Sequence, residues 1–256
     1  MNTLNTLLQK INNAKSLDFG DIISNSIDLF KKVWLKGFLV ILFVVIVAMI
    51  LNLIFGLIGL AASPFDINKG FDLESFSDFY SQNIIYSIPQ TILVSTLTLA
   101  FVAAFYRICK QIVSGEASQD DYFYFLKKEY FTKVFMLGII YTVIATVAQL
   151  LLFIPYIYAF VPLSYFAVVF AFNPELSETE IVKASFALGN KKWLVTFGSM
   201  FVMFIIAMLG ILGCVIGVLF TMSIIYLPAF LIYKDVIGFK ADSEIDRIGL
   251  RDDSDY

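Results

Sequence analysis

The chain has 256 residues, 59% of them hydrophobic and only 15% charged, with a net charge of −3 and no histidine. Soluble domains average about 45–50% apolar and about 25% charged residues; here the apolar surplus falls in long uncharged blocks, the pattern of a membrane protein. Without histidine there is no His-ligated zinc or iron, no His-based triad and no His proton shuttle; two cysteines are too few for a Cys-only metal site, and the negative balance gives no sign of a nucleic-acid partner.

Residues 1–17 read as an N-terminal cytoplasmic segment. They lack the cationic start, short apolar run and cleavage site of a signal peptide, so the first span is expected to serve as an uncleaved anchor. Over 18–36, Ile23, Ile27, Phe30 and Trp34 recur at helical spacing beside Asp21, Asp28, Lys31 and Lys32. This predicts an amphipathic helix in the membrane interface, with Trp34 at headgroup depth and Lys31 and Lys32 reaching toward anionic phosphates. The chain is then expected to turn into the bilayer at Leu35.

A first span is predicted over 37–60 and a second over 84–106, both uncharged. Between them, Ala61–Asn83 interleaves Phe65, Phe71, Phe76, Phe79 and Tyr80 with Asp66, Asp72, Glu74 and Asp78. The acids lack the order of a calcium loop, so a short helix laid on the outer headgroups is expected. Contact with an envelope partner through Phe71, Phe76, Phe79 and Tyr80 is the alternative. Tyr122, Leu126 and Tyr130, beside Lys127, Lys128 and Lys133, suggest a further interfacial helix over Asp120–Lys133.

Val134–Phe172 and Leu194–Tyr233 are uncharged for 39 and 40 residues. Each is about twice what one span needs, so each reads as a hairpin: 134–154 with 156–172 turning at Pro155, and 194–212 with 214–233 turning at Gly210–Gly213. Before the second hairpin, 178–193 repeats an interfacial pattern, with Trp193, Lys191 and Lys192 at its end. The fold class expected is all-α integral membrane: one domain over 18–233 with six spans in three hairpins and interfacial helices on the cytoplasmic side. Five spans plus a re-entrant segment is the competing count. Residues 234–256 form an acidic cytoplasmic tail. Cys109 and Cys214 fall at opposite membrane faces, about 30 Å apart by span length, which excludes a disulfide.

With six spans, 17 of the 18 Lys and Arg residues lie on one side, leaving Lys69 alone on the other. The positive-inside rule then makes both termini cytoplasmic. A self-comparison shifted by 159 residues aligns Asp21–Phe38 with Glu180–Phe197 without a gap. It pairs Ile22 with Ile181, Ser26 with Ser185, Leu29 with Leu188, Lys32 with Lys191, Trp34 with Trp193, Leu35 with Leu194 and Phe38 with Phe197. Where the first copy has Phe30, the second has Gly189. Each copy, and the segment at Asp120–Lys133, is read as an interfacial helix leading into a hairpin.

Asp18-Phe19-Gly20-Asp21-Ile22-Ile23, followed by Ser26, Leu29-Phe30-Lys31-Lys32 and Trp34, resembles the opening of a bacterial six-span family. That family is related to the membrane domain fused to some glycerophosphodiester phosphodiesterases. Glu180-Ile181-Val182-Lys183-Ala184-Ser185 through Trp193 resembles its second signature. The resemblance implies a fold and an inner-membrane location. It carries over no catalytic residue, because the chemistry of those fusions belongs to a soluble domain that has no counterpart in this sequence.

The predicted spans hold no carboxylate, Lys or Arg, which argues against an ion-coupled carrier. Their polar residues, among them Asn52, Gln90, Ser95, Thr98, Thr142, Ser164, Ser199, Thr221 and Ser223, are expected to bond between helices. Gly213 and Gly217 have a close-packing spacing, weighed against a simple turn role for Gly210 and Gly213 with Gly217 incidental. Pro155, Pro162 and Pro228 can kink helices around a cavity. No phosphate loop or nucleophile elbow occurs, and the acidic pair Asp120-Asp121 reads as a solvated helix start, so no enzyme, cofactor or metal is expected. The leading expectation is a non-enzymatic inner-membrane scaffold or assembly accessory that binds a membrane-protein partner or lipid. The alternative is a passive transporter or lipid-handling protein for an apolar or amphipathic molecule.

Overall fold

The computed structural model describes residues 3–60, 73–116, 119–151 and 154–239, with side chains described for all of these except 73–86 and 213–216. Every regular element among them is helical: α1 (Leu4–Asn12), α2 (Phe19–Leu57), α3 (Leu73–Ser114), α4 (Lys128–Leu150), α5 (Ile154–Ser164), α6 (Phe166–Phe172), α7 (Glu178–Lys191), α8 (Trp193–Met208), α9 (Cys214–Thr221) and α10 (Leu227–Ile237), with short 3-10 turns between some of them. Six helical stretches are long and apolar enough to cross a membrane: Phe19–Leu57, Ser87–Ser114, Lys128–Leu150, Ile154–Phe172, Trp193–Leu212 and Gly217–Ile237.

α3 and α6 form the interior. Residues from Leu99 to Tyr106 and from Tyr165 to Ala171 are buried on every side, and α3 packs on α2, α4 and α6. Close packing of the helices depends on small residues. A Cβ at Gly138 would fall 2.1 Å from Thr96 Oγ1, which brings α3 and α4 together; one at Gly37 would fall 2.2 Å from Ser223 Oγ. At the turn of the last hairpin Gly217 lies against Gly210, a Cβ on it meeting the Gly210 carbonyl oxygen at 2.1 Å. Gly217 is therefore not incidental to that turn; its missing side chain lets the two arms meet. The Thr221 hydroxyl locks the same turn by donating to the Ala207 carbonyl at 2.7 Å.

Three expectations change. No turn separates an interfacial helix from the first span: α2 is one unbroken helix from Phe19 to Leu57. The reason lies in Gly37, the weakest helix former near Leu35. It is enclosed by Ser223 and Phe105, so packing holds it helical. The second copy does break, at Lys192, between α7 and α8. The proposed helix over Asp120–Lys133 is also absent as such. Asp121 Oδ1 accepts the Phe123 N–H in a local turn, Tyr124–Leu126 is a 3-10 turn, Lys127 is extended, and α4 starts only at Lys128.

The third change concerns which face is buried. Ile23, Ile27 and Phe30 are only half-buried and Trp34 is exposed, while Ile22, Ser26, Leu29 and Val33 form the packed face. Their equivalents Ile181, Ser185, Leu188 and Lys192 are buried as well. Three of the seven identities of the self-comparison, Ile22/Ile181, Ser26/Ser185 and Leu29/Leu188, fall on this buried face, whereas Lys32/Lys191 and Leu35/Leu194 are exposed in both copies. Gly189 stands opposite Phe30 because α5 occupies that place: a Cβ there would lie 2.7 Å from Pro162 Cα.

α1 was not foreseen within residues 1–17. Leu7 and Ile11 are buried against α7 and α10, Thr3 caps its start by accepting the Thr6 N–H at 3.3 Å, and Lys10 donates to the Ile237 carbonyl at 2.7 Å. With the bonds of Lys133 to the carbonyls of Pro174 and Leu176 and of Lys36 to Asp120, these contacts gather the cation-bearing segments at one end of the bundle.

Candidate functional site

Between α3, α4, α5, α6, α8 and the 3-10 turn Met222–Tyr226 lies a cavity of about 350 Å³. Its walls are apolar, built from Leu99, Val102, Phe160, Leu163, Met200 and Ile225, with five hydroxyl residues among them: Ser95, Thr98, Tyr141, Ser164 and Tyr226. No ionisable carboxylate or cation lines it. Thr142 donates to Ser95 Oγ at 3.2 Å and Ser164 returns its proton to the Val161 carbonyl. The hydroxyls of Thr98, Tyr141 and Tyr226 have no hydrogen-bond partner among the described residues.

Depth follows from three helices independently. Tyr141, Met200 and Tyr226 each stand eight residues from a lysine (Lys133, Lys192 and Lys234). At the rise of an α-helix this is about 12 Å from the cationic end. Along α3, Val94, Ser95 and Thr98 are half-buried whereas Leu99 and Val102 are buried. The cavity therefore closes toward the cationic end. Packed rings lie below it: Tyr106 stacks on Phe230 at 6.0 Å, Phe125 meets Phe170 at 4.8 Å, and the half-buried Phe172 meets Tyr233 at 5.3 Å.

Tyrosines carry much of the hydrogen bonding between helices. The Tyr106 hydroxyl donates to the Tyr226 carbonyl at 3.0 Å, Tyr165 and Thr196 hydroxyls meet at 2.6 Å, and Asn173 donates to the Tyr233 hydroxyl at 2.7 Å. A span polarity that counts only Ser, Thr and amides leaves these bonds out. Of those, Gln90 does reach Asn52 across to α2 at 3.4 Å, but Thr96 and Ser199 donate back into their own helices.

The expected anchor residues do not form one set. Trp34 is 44% exposed on the side of α2, its ring 6.0 Å from that of Phe220. Trp193, half-buried, stacks on Phe197 and donates its indole N–H to the Tyr158 carbonyl at 3.1 Å. Lys31 pairs with Asp28 at 2.8 Å in the open, and Lys32 and Lys191 are exposed. Lys192, expected to reach outward, is instead buried, with its ammonium on the Lys15 carbonyl. Phe71 lies outside the described residues, as do the side chains of Phe76, Phe79 and Tyr80.

At the cationic end, Asp120 and Asp121 are committed to Lys36 at 2.6 Å and Lys127 at 2.7 Å. The Arg107 guanidinium carbon lies over the Tyr124 ring, 3.6 Å from its centroid. Burial, and then the Asp120 carboxylate, push the Tyr122 phenol up to about 12. Both acids line a surface cleft of about 550 Å³ together with Arg107, Tyr122, Tyr124 and Lys127. No family model matches the chain, and neither a curated protein nor a solved structure gives a match.

Proposed function

We propose that this chain is a non-enzymatic, multi-pass protein of the bacterial inner membrane that takes up an apolar or amphipathic molecule in the cavity between its spans. The cavity carries the reading. Its volume is at the small end of the roughly 300–1,000 Å³ usual for ligand pockets, and its apolar walls with a few hydroxyls suit a hydrocarbon chain bearing one hydrogen-bonding group. A charged solute would find no counter-charge there. Because the cavity is closed toward the cationic end, the reading is one of binding and handling within the membrane rather than of an open pore.

The cationic end, with both termini, faces the cytoplasm in this reading, supported by the one-sided distribution of Lys and Arg. The quoted motifs that resemble the six-span bacterial family support the same location. The deciding experiment is photo-crosslinking of the full chain in native membranes with a diazirine-bearing fatty-acid probe. Labelled peptides should map to α3, α5 and α8, and Ala167→Phe should suppress that labelling while the protein still accumulates. Labelling that ignores the filled cavity would remove the proposal.

A second reading, a scaffold or assembly accessory, draws on α2. Met49, Leu53 and Leu57 form an exposed apolar ridge, and only 17% of that span is buried against 61% for α3. Copurification in mild detergent tests it; recovery of the lone chain under conditions that preserve known complexes counts against it.

A further inference from the structure

The break between α7 and α8 leaves a cleft of about 300 Å³, walled by Ser16 and Leu17 on one side and by Asn190, Lys191, Lys192, Trp193 and Leu194 on the other. No carboxylate lines it. Lys192 is 7% exposed, and its ammonium bonds the Lys15 carbonyl; among the described residues no carboxylate pairs with it. One carbonyl accepts one of three N–H donors and supplies no net charge, whereas buried charges are ordinarily paired. The preceding residue, Lys191, is a second cation that no carboxylate of the described residues pairs. The C-terminal dipole of α7 offers only a partial negative charge in compensation. In keeping with this, burial and then Lys191 hold the Lys192 ammonium below its ordinary pKa. Immediately beside the cations, Leu194 is 80% exposed.

We propose that this cleft holds the phosphate group of an anionic phospholipid. Lys191 and Lys192 supply the charge, Ser16 and Asn190 the hydrogen bonds, and the acyl chains run over Leu194 beside the Trp193 ring. A lipid is favoured over a free phosphate because the cations and the bare leucine adjoin on a single turn, so one amphipathic molecule satisfies both. The proposal rests on the membrane placement given above but not on the cavity.

The test uses the full chain carrying Trp34→Phe, so that Trp193 is its one tryptophan. It is reconstituted in phosphatidylcholine vesicles containing brominated phosphatidylglycerol or, separately, brominated phosphatidylcholine at equal mole fraction. Phosphatidylglycerol should quench Trp193 preferentially, and Lys191→Gln or Lys192→Gln should each lower that preference roughly fivefold, the size expected of one cation at an anionic surface. Lys191 is exposed, so its variant keeps the test valid should Lys192→Gln unfold. Equal quenching by both lipids, or a preference that survives the double variant, overturns the proposal. Loss of the preference on adding millimolar inorganic phosphate overturns the lipid source. Ala167→Phe should leave the preference intact, which separates this site from the cavity.

Discussion

The indole N–H of Trp193 donates to the carbonyl of Tyr158 at 3.1 Å, and that carbonyl is the one Pro162 cannot serve. In a regular helix the residue four places on would supply the N–H; proline has none. The proline of α5 and the tryptophan at the head of α8 are thus two halves of one joint. The Tyr158 hydroxyl reinforces it by donating to Asn190 at 2.6 Å. Trp34, its partner in the self-comparison, has no such duty.

Trp193→Phe should therefore lower stability by about 1 kcal/mol through the lost hydrogen bond, while Trp34→Phe should stay within about 0.5 kcal/mol. Thermal unfolding of both variants in one detergent checks this. Equal effects would mean that the indoles act only as generic membrane-interface rings.

Gly138→Ala should cost about 1–3 kcal/mol, because the new methyl meets Thr96 main-chain and side-chain atoms on α3. Gly198→Ala should cost less than about 0.5 kcal/mol, since its nearest neighbour is the edge of the exposed Phe19 ring at 3.0 Å, which can swing aside. Denaturation midpoints of the two variants give the contrast.

The Tyr165 and Thr196 hydroxyls are not interchangeable. Thr196 already donates to the Lys192 carbonyl at 2.7 Å, so Tyr165 is the donor of the 2.6 Å bond between them. Tyr165→Phe leaves only a spare acceptor and should cost about 1 kcal/mol; Thr196→Val strands a buried phenol donor and should cost more, about 1–3 kcal/mol. Calorimetry should rank them in that order.

At the start of α7 the Glu180 carboxylate accepts the Ser177 N–H at 2.9 Å and its hydroxyl at 2.8 Å. The Ser177 backbone bond, then its hydroxyl, hold the Glu180 carboxyl below the ordinary range. A carboxyl with a depressed folded pKa contributes stability above its unfolded value, about 4.3, and loses it as pH falls through the lower folded value. The native chain should therefore lose its stability advantage over Glu180→Ala as pH drops below about 4.3. Melting curves between neutral and acidic pH would show the two converging; a constant gap would refute the cap.

The six spans were legible because an uncharged run of apolar residues leaves the backbone one way to satisfy itself in lipid, as a helix. The close approach of Gly210 and Gly217 was not legible, because turn chemistry singles out Gly210 and Gly213 and says nothing of which backbones meet. What hid the packed face of α2 is that periodicity seeks the most apolar stripe, and in a membrane chain that stripe faces lipid as readily as protein. Ser26 and Ser185, small and buried, marked the protein side better than Phe30 or Trp34 did. α1 escaped notice although Leu4, Leu7, Leu8 and Ile11 recur at helical spacing, because nine residues alone make a marginal helix and this one gains its stability by docking. The cavity could not be foreseen from Ser95, Thr98 or Tyr141, since its walls come from helices far apart in sequence.

The unbroken course of α2 has a geometrical side. Its 39 residues measure about 58 Å end to end, more than the roughly 40–45 Å of a whole bilayer with its headgroups. Upright in a bilayer, a rod of that length would carry its first turns, where Ile22, Ser26 and Leu29 are buried against the rest of the chain, beyond the headgroups.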